Sequence, residues 1–419
     1  MPTLSQVQRF FFQFILIGGA ISAFQGVRFI GDIYVARNFN NTEFVFWVFL
    51  FIYASLAGMM NLGINNHANI KIAFYSRLKK TKAIIRLNTS IDLIFWCSSF
   101  LLSIFLLLFG ESFKTTFAVL ISITSINYFL NCQLKLRAQR KNEVAFFHSC
   151  LGSVTFLVIL VFLNRLKIDF FTIMTIAPLA LFTISIFVNK YHCPISLSAV
   201  SARQMKLSIA RGLPLLLMSL SLSMFILIDK LILKRVMNED DLSEYLMAFR
   251  LFEIILFPVI ILITQWTPHL NKFNRTDSAV GQIYLSLIVV IGLYFMGCSF
   301  LLFSQEFFVQ VSKVYFGFNR VAPYPLQILI MLLMWSGVLI LNVELSRQSA
   351  IKYSHLLRFI AIIPMASISY YLLVKFEHSM GFILGFNALL YAIGLVIMLS
   401  ILKSSPIRSL RGRQKSTQE

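Results

Sequence analysis

Residues 207–272 read LSIARGLPLLLMSLSLSMFILIDKLILKRVMNEDDLSEYLMAFRLFEIILFPVIILITQWTPHLNK. The stretch opens basic, runs apolar from Leu213 to Ile228, is interrupted by Asp229 and Lys230, and turns apolar again. A charged turn from Lys234 to Glu244 leads into a second apolar segment that reaches Trp266 and carries Arg250 and Glu253 in its first third. Two apolar segments of about 20 residues joined by a short turn form a helical hairpin through a bilayer. The informative feature is the four ionisable groups inside it. Each costs about 2.5–3.5 kcal/mol at the centre of a spanning helix, so such groups face a bundle interior or a wet cavity.

The rest of the chain has the same character. Its 419 residues are 58% hydrophobic and 13% charged, and the mean hydropathy is +0.80. Soluble domains carry about 25% charged residues, so these apolar runs are read as spans and not as one soluble core. Barrel strands are excluded, because they are about 10 residues long and alternate in polarity. The net charge of +20 does not indicate nucleic acid, since the basic residues gather in short loops between spans. The five cysteines show no metal or disulfide spacing. His67, His148, His192, His269 and His355 sit near cytoplasmic span ends as interfacial polar residues, without ligand spacing. No metal or cofactor is expected. The apolar run after Arg9 continues past Ala23 to Ile33, which reads as an uncleaved first span.

Twelve spans are expected, at about 10–33, 43–64, 88–109, 113–134, 144–164, 169–189, 210–233, 245–267, 280–303, 324–342, 353–374 and 380–402. The even connections are rich in Lys and Arg: Lys71 to Arg86 in the second, Lys135 to Lys141 in the fourth, and Lys190, Arg203, Lys206 and Arg211 in the sixth. The third has only Lys114 and the eleventh only Lys375. Both termini are therefore placed in the cytoplasm. The expected fold class is an all-α polytopic membrane protein, with two six-helix bundles around a central cavity. The bundles are 1–189 and 210–402, joined by a cytoplasmic linker at 190–209 and followed by a basic tail, 403–419, that contacts anionic lipid. Two halves that both start in the cytoplasm are parallel repeats about an axis along the membrane normal. A faint echo supports this: Arg28, Asp32 and Glu43 in the first half, and Asp229, Lys230 and Glu244 in the second.

The residues also carry a family likeness. Pro214, Asp229–Lys230, the entry Tyr245–Leu246–Met247–Ala248–Phe249–Arg250, and the Asn61–Leu62–Gly63 end of the second span resemble the pattern of Wzx-type O-antigen flippases. These belong to the multidrug/oligosaccharidyl-lipid/polysaccharide (MOP) exporter superfamily. The usual acidic residue before Leu–Gly is Asn61 here, and the Arg-rich first-span pattern is reduced to Arg28 and Arg37. The resemblance implies a flippase of the bacterial cytoplasmic (inner) membrane. It would move a polyprenyl-diphosphate-linked oligosaccharide to the outer leaflet by alternating access. Its surroundings would be membrane lipids, with a polysaccharide polymerase and chain-length machinery as partners.

A diphosphate needs cations, and Arg offers a planar donor fork where Lys offers a point charge. Arg28, Lys230 and Arg250 are the candidate substrate-binding residues. Asp32, Asp229 and Glu253 are the accompanying cavity or coupling carboxylates. Arg28 and Asp32 are four apart and Arg250 and Glu253 three apart, so each pair shares a helix face. A purely structural reading stands beside this one, with each pair satisfying itself. Asp92 and Glu344, at cytoplasmic span ends, are read as structural. Trp47, Tyr53, Trp266 and Trp335 are either interfacial belt residues or sugar platforms. Pro178, Pro258 and Pro364 are hinge positions, and Gly18–Gly19 a point of close helix approach. The alternatives are a drug or metabolite antiporter of the same superfamily and a polysaccharide polymerase. No nucleophile–base pair or phosphate loop is visible, so an enzyme is not expected.

Overall fold

The structure is a computed structural model and describes residues 4–59, 71–76, 78–109, 113–196, 202–270, 288–289, 291–297, 325–348, 363–372, 375 and 380–404. The expected Asn61–Gly63 motif, most of the ninth span, the side chains of Trp266 and Glu344 and the tail beyond 404 lie outside the described residues. Every long described element is a helix: α1 Leu4–Asn38, α2 Asn41–Met59, α3 Thr81–Phe109, α4 Phe113–Ala138, α5 Asn142–Arg165, α6 Phe170–His192, α7 Ala202–Val236, α8 Glu239–Leu270, α9 Pro325–Gln348 and α10 Met380–Ser404. Among the described residues, four helices are long and apolar enough throughout to cross a membrane, within α3, α4, α5 and α6. The longer α1, α7 and α8 carry charges inside their apolar runs. At 1.5 Å per residue, the 35 residues of α1 and of α7 outrun a hydrocarbon core of about 30 Å. For the same reason α6 reaches His192 and α7 starts at Ala202, taking helix into both ends of the expected linker.

The described chain forms two compact units, Met1–Pro323 and Tyr324–Glu419. In the first, α4 packs along α6, α5 along α1 and α6, and α2 against α4, while α8 lies on α1 and α2. Apolar contact alone drives little association in lipid, so close approach and hydrogen bonds have to join the helices. Both are present. Gly19 faces Phe146 so closely that a Cβ there would fall 2.6 Å from a ring carbon, as the Gly18–Gly19 pair implied. Asn127 donates to the Ala54 and Ile123 carbonyls at 3.0 Å each, tying α4 to α2. Lys135 meets Asp92 at 2.7 Å and the Asn189 side-chain oxygen at 2.8 Å, and Asn189 in turn donates to Asp92 and to the Tyr128 hydroxyl. A buried charge of each sign is thereby paired and hydrogen-bonded, which fits the structural reading of Asp92. The outward faces of these helices show Phe100, Phe147, Val158 and Phe162.

Three expectations change. His148 is fully buried, stacked on Phe129 at 4.5 Å and 3.0 Å from the Ser185 hydroxyl, so it is a core residue and not an interfacial one. Trp47 and Trp335 are also buried and form neither belt nor platform. Hydropathy cannot separate a ring in the belt from a ring in the bundle. In the second unit, Trp335 of α9 packs on Tyr391 of α10 at 5.1 Å, and Gly337 leaves room for Leu395.

Candidate functional site: a charged cavity between α1 and α8

Two helix starts set the geometry. Asn40 caps α2, accepting from the Glu43 amide at 2.8 Å, while Glu43 reaches back to the Asn40 amide at 3.1 Å. Asn238 caps α8 in the same manner, through the Asp241 amide at 2.8 Å. The first is a reciprocal capping box; in the second the return bond runs from the Asn238 side-chain amide to the Asp241 carboxylate at 2.8 Å. With both starts fixed, α2 presents Trp47 and Phe51, and α8 presents Arg250 and Glu253, toward α1 with Arg28 and Asp32.

A cavity of about 480 Å³, counting its open mouth, is lined by Arg28, Asp32, Arg250 and Glu253, with Gln25 and Phe257 beside them. Four of the six expected site residues are thus brought together. The other two, Asp229 and Lys230, lie next to it but do not line it. Lys230 is buried 3.3 Å from Asp229, with its ammonium 3.1 Å from the centre of the Phe249 ring, and Asp229 accepts from the Tyr245 hydroxyl. A desolvated ammonium over a ring face gains up to about 2 kcal/mol, so Lys230 is satisfied within its own hairpin.

The pairing inside the cavity differs from the one that spacing suggested. Arg250 does pair with Glu253. Asp32, however, does not hold Arg28. It accepts from the Trp47 indole N–H at 2.6 Å through Oδ1, and Oδ2 lies 3.3 Å from Arg250 Nε. That Nε contact is an ion pair whose angle falls short of a hydrogen bond. Arg28 instead lies over the Phe51 ring, its guanidinium carbon 4.5 Å from the centroid, and its buried Nε has no hydrogen-bond partner. Arg250 Nη2 is buried and unpartnered too. The sequence did not show that Trp47, expected as a belt residue or sugar platform, holds Asp32. The signal that could have found it is Gly31, beside Asp32, where a Cβ would sit 2.8 Å from the indole.

The cavity is therefore balanced in formal charge but rich in donors. Two guanidiniums on different helices each keep an N–H that nothing accepts, and leaving such a group unmet costs about 1–3 kcal/mol or more when charged. Acceptor oxygens entering the cavity would recover that energy.

No established family profile matches the sequence, and no curated protein matches it. Solved structures do. An outward-facing multidrug resistance MATE family transporter of the MOP superfamily superposes with a TM-score of 0.65 at 15% identity, over 94% of this chain and 96% of that one. The fold is that of the MATE transporters. It is an all-α membrane fold of twelve spans in two bundles, the class that hydropathy suggested. The MATE in its straight conformation gives 0.66 at 13% identity, over 94% and 96% of the two chains. A MOP superfamily transporter from Pyrococcus furiosus, in which reverse polarity of the binding pocket suggests a different function, gives 0.64 at 16% identity over 96% and 94%.

Proposed function

We propose that the protein is a flippase moving a polyprenyl-diphosphate-linked oligosaccharide from the inner to the outer leaflet of a bacterial cytoplasmic membrane, by alternating access. One observation carries the reading: Arg28 Nε and Arg250 Nη2 are buried, cationic and unpartnered beside one cavity. A diphosphate has the charge and the acceptor geometry to meet both, and Arg–phosphate pairs are commonly bidentate. The lipid tail stays in the bilayer while the head crosses. An inside-negative potential favours each outward-moving negative charge by about 2.3 kcal/mol per 100 mV, and the arginines offset the loss of water. Lys230 holds Asp229 and Phe249 behind the cavity and has a secondary part. The cargo then passes to a polymerase and chain-length machinery. The chain catalyses no reaction of its own.

The drug antiporter reading has support of its own, because the similar transporters include multidrug resistance MATE proteins. A pocket for cationic drugs would offer unmet acceptors, whereas the cavity here offers unmet donors.

The test is export of surface polysaccharide in a flippase-deleted cell, at equal membrane abundance of each variant. Arg28→Ala and Arg250→Ala abolish most export, Arg250→Lys keeps part of it, and Lys230→Ala reduces it least. If both arginine-to-alanine variants export normally while drug efflux depends on them, the antiporter reading replaces this one.

A further inference from the structure

Arg250 has two carboxylate partners with different surroundings. Asp32 is fixed: its side chain is 3% exposed and hydrogen-bonded to Trp47, which is itself fully buried, stacked on Phe156 at 5.9 Å and set edge-on to Phe51 at 5.0 Å. Gly31 closes the other side of that indole. Glu253 is loose by comparison. Its side chain is 35% exposed, lines the cavity, and reaches Arg250 only within the same helix, three residues on.

The two also take different nitrogens. Asp32 lies at Nε, Glu253 takes Nη1, and Nη2 is left over. Removing Glu253 from Nη1 exposes the end-on Nη1/Nη2 pair, the fork that fits two oxygens of one phosphate. Removing Asp32 exposes no such pair and unfastens the guanidinium.

We infer that Glu253 is the exchangeable counter-ion of Arg250, displaced by an arriving diphosphate and restored when it leaves, while Asp32 and Trp47 are positioning residues that hold the fork toward the cavity. This rests on the anionic-cargo reading above. On it, Glu253 sets both the affinity of the empty site and the ease of release, because the anion and the carboxylate compete for one N–H.

The experiment uses the purified full chain in detergent, with farnesyl diphosphate as the probe and farnesyl monophosphate as its comparison. Wild type binds the diphosphate and Arg250→Ala does not. Glu253→Gln, and Glu253→Ala as a second variant, bind it about tenfold more tightly, a shift of about 1.4 kcal/mol, yet export less in cells because release slows. Asp32→Asn and Trp47→Phe bind it about tenfold more weakly, and their preference for diphosphate over monophosphate falls as the fork loses its aim. A merely structural role would lower the active fraction and leave that preference unchanged. Binding by wild type that Glu253→Gln leaves equal or weakens overturns the exchange and spares the cargo reading. An unchanged preference in Asp32→Asn and Trp47→Phe overturns the positioning roles. Equal affinity of wild type and Arg250→Ala for the probe, or no binding by either, overturns the cargo reading and the inference with it.

Discussion

Asp169 and Asp32 each meet a cation and an N–H, yet their settings give the contacts different consequences. Asp169 is half exposed at the start of α6, where it accepts from the Thr172 amide at 3.2 Å and pairs with Lys114 at 2.8 Å. The hydrogen bonds from Lys114 and then from Thr172 hold its carboxyl down at about 2, from 3.8. A lowered folded-state value means stability that is present above the unfolded value and fades as pH falls through the folded one. Asp169→Ala should therefore cost about 1 kcal/mol at neutral pH, the usual worth of a helix cap. In thermal melts, the gap between wild type and variant should close as pH falls from 3.8 toward 2. Asp32 is buried and tied to an indole and a guanidinium, so its removal is felt at the cavity instead. All four ionisable residues that line the cavity were legible in the sequence, because charge inside an apolar run is conspicuous. Their partners were not. Helical spacing put Arg28 with Asp32, but the carboxylate turned to Arg250 and Trp47 on other helices, contacts that no period within one helix encodes.

At the level of elements, two asparagine caps are a repeat more telling than the charge echo. Asn40 accepts from the Glu43 amide at the start of α2, and Asn238 from the Asp241 amide at the start of α8. The echo was sought at Glu43 and Glu244 instead. The two helix starts also touch. Asn41 donates to Asp240 at 2.6 Å and Thr42 to Glu239, so the first residue of each helix meets the second of the other. Reciprocal contact of that kind is what a two-fold relation produces. Close by, Lys234 of α7 donates to the Tyr53 hydroxyl of α2 at 3.2 Å. On the flippase reading these helix starts, on the side expected to face outward, must part to release cargo. Asn41→Cys with Asp240→Cys, in a chain whose five native cysteines are serine, should form a cross-link that stops export, and a reductant should restore it. Export that continues through the cross-link would show that these ends stay together during transport.

For the whole molecule, the distribution of charge between connections predicts a topology. Reporter fusions after Lys80, Arg140 and Arg203 should report cytoplasm, and fusions after Lys114 and Asp240 the outside. Two reversed sites would break the twelve-span arrangement. The fold class was legible because twenty-residue apolar runs leave the backbone no choice but helix. Helix lengths were less so. Hydropathy measures the portion inside the hydrocarbon, while α1 and α7 extend well beyond it, continuing as helix through polar sequence. The polar pegs between helices, such as Gln133 with Ser149 and Ser149 with the Ala20 carbonyl, were also invisible. A serine in an apolar run looks the same whether it bonds its own helix or the next.

The contact between Trp47 and Asp32 has an optical side. The chain has four tryptophans, and only this one donates its indole N–H to a carboxylate that in turn touches a cavity arginine, among the described residues. Indole emission responds to the electric field along its ring. A variant that keeps Trp47 and replaces the other three with phenylalanine therefore carries its own voltmeter, read without a label, for whatever charge arrives at Arg250.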